Sequence, residues 1–200
     1  MKIGLVDVDG HNFPNLCLMK LSAYHKAQGD TVEWWRPAGW YDMVYKSRVF
    51  TDTYSKDSIY IANAGKVIKG GTGYGPGPDL PDVVEHQYPD YSLYPQFADT
   101  AYGFLTRGCP RACSFCIVSG KEGRRSRHVA DLSEFWDGQK EIKLLDANLL
   151  ACQDHEKLLV QLADSRAVVD ICQGLDIRLT TPDNVALLNK VRTKAVHFAW

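Results

Sequence analysis

The segment richest in chemistry is GFLTRGCPRACSFCIV, residues 103–118. It carries Cys109, Cys113 and Cys116 at offsets of four and three. Thiols this close in sequence can reach one metal centre from a single loop. A structural zinc takes four protein ligands, commonly as two pairs with a longer loop between them. No second pair exists here, because Cys152 and Cys172 stand alone further along the chain. An iron–sulfur cluster also takes four cysteines as a rule, so three leave one iron without a protein ligand. A reactive centre needs such a vacancy, just as catalytic zinc sites keep one coordination position open. The spacing therefore points to a cluster with an open position. The alternatives are a structural zinc, with Cys152 or Cys172 as fourth ligand, and three unligated buried thiols.

The elements that must position this loop read as alternating strands and helices. KIGLVDV (2–8) is a continuous apolar run suited to a strand buried on both faces. FPNLCLMKLSAYHKAQG has apolar residues at helical spacing and stops at Gly29. TVEWW (31–35), YDMVYKSRVF (41–50) and KVIKGG (66–71) follow as further strands. The expectation is a doubly wound, Rossmann-like domain over 1–78. GGTGYGPGPDLPD (70–82) and HQYPDYSLYP (86–95) are rich in Gly, Pro and Tyr without a helical or strand period, and residues 79–99 read as a linker. Over 100–200 the pattern resumes. TAYGFLT is a strand leading into the cysteine loop, ADLSEFWDGQ a helix, EIKLLDANLLA a strand, and DHEKLLVQLADS a helix with Asp154 as N-cap. VVDICQGLDIRLT is a strand, TPDNVALLNKV a helix with Pro182 in its first turn, and AVHFAW a fourth strand.

Composition excludes several classes. At 45% hydrophobic and 24% charged residues the chain is of ordinary globular type, and a net charge of −1 supplies no global field for nucleic acid or an anionic membrane. The amino-terminal apolar run is broken by Asp7, unlike a signal peptide, and no stretch approaches the roughly 20 apolar residues of a membrane span. A cytoplasmic location is expected. Thiols stay reduced there, so clustered cysteines read as ligands before they read as disulfides.

CPRACSFC, with Phe115 before the last cysteine, resembles the CxxxCxxC signature of the radical S-adenosylmethionine (radical SAM) superfamily. The setting after a strand is similar as well. The order of a wound domain, a linker and a cysteine loop looks like members with a cobalamin-binding-type N-terminal domain. The resemblance implies a partial TIM-like barrel over 100–200 and a [4Fe-4S] cluster held by Cys109, Cys113 and Cys116. It also implies S-adenosylmethionine chelated at the open iron, reductive cleavage to a 5′-deoxyadenosyl radical, and a flavodoxin- or ferredoxin-type electron donor. Cobalamin-dependent methyl transfer and RNA methylthiolation are the enzymatic alternatives, and a zinc-binding module is the non-enzymatic one. Four strand signals after residue 100 are fewer than such barrels carry, so a C-terminally truncated barrel is expected, with a partner chain covering the open edge as the alternative.

Barrel enzymes place working residues at the carboxyl ends of strands. Asp146 and Asn148 fall where relatives bind the SAM amino group, although the glycines of the related segment are missing; closing a turn is the plainer role. Arg178 suits the SAM carboxylate through its planar fork, with an ion pair to Asp176 as the plainer role. Phe115 is the fourth cofactor candidate, and Gln173 and His197 stand at neighbouring strand ends. Lys121, Arg124, Arg125, Arg127 and His128 form a basic cluster able to grip an anion or a nucleic-acid backbone, or simply a solvated loop. In the N-terminal half, Asp9 to Pro14 resembles the front of a DxHxxG cobalamin motif, with His11 as cobalt ligand. The plainer role is for Asp9 and His11 to cap the following helix.

Overall fold

Four parallel strands order the N-terminal half, and three more order the C-terminal half. The computed structural model describes residues 1–10, 13–75, 77 and 79–199. It is a mixed α/β chain with two units, Met1–Tyr94 and Pro95–Trp200.

In the first unit β1 (Lys2–Asp7), α1 (Leu16–Ala27), β2 (Thr31–Trp34), β3 (Tyr41–Ser47), β4 (Ala64–Gly70) and the single turn α2 (Asp82–Glu85) follow one another. The sheet order is β2-β1-β3-β4 with every pairing parallel. Because strand side chains alternate, β1 serves both faces. Ile3 and Leu5 pack on Leu18 and Leu21 of α1 and on Val84 of α2. Val6 faces the other way, with Tyr41 and Val44, and is covered by Trp35, Ile59 and Ile61. That second face is closed by irregular chain between β3 and β4, where helices on both faces were expected. Residues 79–94, read as a linker, belong to this unit: Val84 enters the core, and the buried Tyr94 donates to Asp7 Oδ2 at 2.6 Å.

The start of α1 corrects one expectation. Asn15 is its cap, accepting from Leu18 N–H at 3.2 Å. Asp9 instead takes up the N–H groups of Val49 (2.6 Å) and Phe50 (3.3 Å) after β3. His11 lies outside the described residues. The glycine-rich turn after β4 packs on its own chain, since a Cβ at Gly71 or Gly73 would overlap the carbonyl oxygens of Arg48 and Phe50. Trp34 stacks edge-on against Tyr94, Trp35 bonds Asn63, Cys17 packs on the core, and Trp40 is exposed.

The second unit comprises β5 (Thr100–Gly103), β6 (Thr106–Arg107), α3 (Val118–Lys121), β7 (Arg127–His128), β8 (Glu141–Leu144), α4 (His155–Ser165), β9 (Val168–Ile171), β10 (Leu175–Asp176), α5 (Pro182–Leu188) and β11 (Phe198–Ala199). β5, β8 and β9 form a parallel sheet in that order, with β6–β7 antiparallel and β10–β11 parallel beside it. Among the described residues these strands close no barrel. Leu158, Leu159 and Leu162 of α4 are fully buried against Ile142, Leu144 and Val169, each such leucine contributing about 1.5–3 kcal/mol of burial. α5 starts at Pro182, as the sequence predicts, and Thr181 and Asn184 form a capping box around it. Two expectations need correction. ADLSEFWDGQ forms only one 3-10 turn, Leu132–Glu134, beyond which Phe135 turns into the core. The long VVDICQGLDIRLT run breaks at Gly174 (φ 80°) into β9 and β10, and the last strand signal pairs with β10 over two residues only. No helix among the described residues is long and apolar enough to cross a membrane.

Candidate metal-binding loop

β5, β8 and β9 are parallel, so their carboxyl ends lie along one edge of the sheet. The cysteine loop leaves β5 there, Asp146 and Asn148 follow β8, and the turn through Asp176 and Arg178 follows β9.

The loop is fixed at its root. Asp146 is fully buried. One carboxylate oxygen accepts from Thr106 N–H (2.6 Å) and Thr106 Oγ1 (2.7 Å), the other from Leu105 N–H (3.1 Å). Burial pushes this carboxyl up to about 6, and the bonds from the Thr106 hydroxyl and the two backbone groups offset only part of that rise. Asp146, expected at a cofactor, thus ties the loop to the end of β8 with both its oxygens. Glu122 completes the root. It accepts from Gly108 N–H at 3.0 Å and from Arg107 Nη1 at 3.3 Å, while Cys109 N–H donates to Gly123 O at 3.1 Å. Gly108 has φ of +91°, and a Cβ there would overlap Arg125 O, so only glycine admits this crossing of strands.

Beyond the root the loop opens. Cys109 is half-buried, whereas Cys113 and Cys116 are exposed, and all three thiols are free. Ala112 between them sits in the left-handed region at φ +47°, a conformation that costs an alanine about 1–2 kcal/mol. Cys116 N–H closes a turn onto Cys113 O at 3.0 Å. Phe115 is 90% exposed and covers nothing. Among the described residues no three His, Cys, Asp or Glu side chains converge as a metal-binding group, so ligation by all three cysteines requires the tip to fold toward Cys109.

Two other expected residues are drawn to the loop. Asn148 is 3% exposed, and its Nδ2 lies 3.6 Å from Cys109 Sγ. Its Oδ1 is buried and accepts no bond from the described residues. Arg178 forks onto Asp176, with Nε to Oδ1 at 2.8 Å and Nη2 to Oδ2 at 3.2 Å. Arg111, inside the cysteine motif, pairs with the same carboxylate from the other side. Burial raises the Asp176 carboxyl, but the bonds from Arg178 and Arg111 outweigh it and hold the group at about 2. The Cys113 thiol lies within electrostatic reach of Arg178. Sequence reasoning missed Arg111, Thr106 and Glu122. The signal available for Arg111 was a cation between two thiols, facing an acid at a strand end.

The remaining candidates stay apart. Gln173 and His197 are exposed, and His197 contributes its carbonyl to Leu175 N–H at 2.8 Å. Cys152 is buried, and Cys172 is exposed at the end of β9. In the basic stretch Arg124, Arg125, Arg127 and His128 are exposed, while Ser126 is buried and donates to Asn148 O at 3.0 Å.

The loop's donor set suits a thiophilic metal centre: three free thiols on one loop, an amide donor on the first sulfur, and an orphaned buried oxygen beside it. No protein-family model matches this chain, and no curated protein matches it.

Proposed function

We propose that this chain is a radical SAM protein: Cys109, Cys113 and Cys116 would hold a [4Fe-4S] cluster, and S-adenosylmethionine would be the cosubstrate. The observation that carries the reading is three free thiols on one loop, the first of them set against Asn148, whose buried Oδ1 accepts no bond from the described residues. A buried acceptor left unpaired costs about 1–3 kcal/mol, and an ammonium group seated there would satisfy it. When bound, the cluster supplies the electron that splits the sulfonium of S-adenosylmethionine reductively.

The chain's own residues bind, orient and exclude water. Asp146 and Glu122 hold the loop root in place. Arg178 has a carboxylate-matching fork, already formed on Asp176, near Cys113. Its exposed guanidinium can exchange that partner for the carboxylate of a bound amino acid, with Arg111 left to neutralise Asp176. Phe115 at the exposed tip would cover the site once the tip folds inward. The fold would be a partial TIM-like barrel that follows a Rossmann-like, cobalamin-binding-like unit in sequence, with a flavodoxin- or ferredoxin-type protein as electron donor.

The deciding experiment is anaerobic reconstitution with iron and sulfide, comparing wild type with Cys113→Ala. About four irons per chain, lost in the variant, with 5′-deoxyadenosine released on adding S-adenosylmethionine and dithionite, is the expected result. Stoichiometric zinc without iron, or no metal at all, would overturn the assignment.

A further inference from the structure

Asn148 is held from several sides. Its backbone carbonyl accepts from Ser126 Oγ at 3.0 Å, its side chain is buried at the end of β8, and its Nδ2 reaches Cys109 Sγ at 3.6 Å. Cys109 is held equally firmly, by its own N–H to Gly123 O and by the strand crossing at Gly108. The two groups therefore meet through the backbone geometry of two strand ends. An amide nitrogen donates and does not accept, so in this contact the Cys109 sulfur is the acceptor.

We propose that Asn148 is a positioning residue for Cys109, its N–H···S bond fixing the sulfur's direction and drawing off part of the charge the sulfur carries as a metal ligand. Naming an iron–sulfur cluster as that metal centre rests on the function proposed above; the bond itself does not. Hydrogen bonds to ligating sulfurs stabilise the reduced, more negative state of such a cluster and raise its potential. Outer partners of metal ligands also orient them for capture.

The test compares Asn148→Asp, which keeps the shape but removes the donor, with Asn148→Ala. In reconstituted protein both variants should show a lower midpoint potential than wild type. The expected change is about tenfold in the reduction equilibrium, or ~59 mV for a one-electron couple. In the metal-free, 15N-labelled chain the side-chain amide signals of Asn148 should shift when Cys109 is changed to alanine. Should Asn148→Ala fail to fold, the near-isosteric aspartate carries the comparison. Wild-type potentials in the variants overturn the proposal, as do Asn148 amide signals indifferent to Cys109. If no cluster forms in wild type, the functional reading fails, and the amide signals alone decide for or against the bond.

Discussion

Asp146 gives the second unit a pH dependence that can be worked out in advance. Its folded-state carboxyl is raised from the ordinary 3.8 to about 6, because burial without an ion pair disfavours the charge more than three hydrogen bonds favour it. At about 1.4 kcal/mol per pH unit, that difference amounts to about 3 kcal/mol. The sign follows from proton counting: between pH 4 and pH 6 the folded chain binds more protons at this site than the unfolded chain does. The contribution is therefore complete below pH 4 and is lost as pH rises through 6. In Asp146→Asn the amide does not titrate, so whatever offset it introduces is the same at every pH. All other groups are shared and cancel in the difference. Asp176 acts in a lower window, since its carboxyl is held at about 2 and its contribution disappears only as pH falls below about 4. Urea unfolding at a series of pH values, followed through the amide cross-peaks of Ile142 and Val169, reports the second unit alone. The stability of wild type relative to Asp146→Asn should fall by about 3 kcal/mol from pH 4 to pH 7. Parallel curves, or a carboxyl carbon that titrates near 4 in wild type, would refute the account of Asp146.

Two further outcomes follow from packing and charge. Gly103→Ala places a Cβ against the ring of the buried Phe135, so the unit should lose about 1–3 kcal/mol as overpacking does; thermal melts would show the drop, and adding Phe135→Leu should recover part of it if the ring is the cause. Arg111→Ala releases the loop tip from Asp176, so chymotrypsin should cut after the exposed Phe115 several-fold faster. The melting behaviour should change by no more than about 1 kcal/mol, because both partner guanidiniums are substantially exposed to solvent; unaltered cleavage would mean that the pair does not restrain the tip.

Some elements could be read from the sequence because their signals are local. The apolar run of β1, the helical spacing of α1 with its stop at Gly29, and the Thr-Pro start of α5 each specify their structure within a few residues. The cysteine loop likewise announces itself by residue type. What escaped notice is set by partners distant in sequence. Phe135 and Trp136 continue a helical-looking segment, but the bare backbone of Gly103 offers the ring a better seat than another helical turn would. Tyr94 lies in a stretch with no period, yet its ring and hydroxyl are core and hydrogen-bonded. An aspartate after a strand looks the same in sequence whether it closes its own turn or, like Asp146, binds backbone some forty positions earlier. Arg111 and Asp176 show the same limit from the surface side, being separated by 65 positions and joined only by the fold.

In the proposed cluster site the rigid root and open tip would divide the work of assembly. Cys109 would be the fixed ligand, while Cys113 and Cys116, carried on a very short tether, would close onto the same cluster as the tip folds. Ring closure over so few residues takes on the order of 10–100 ns. The motion of the tip would therefore not pace assembly, which would be set by the bimolecular arrival of iron and sulfide.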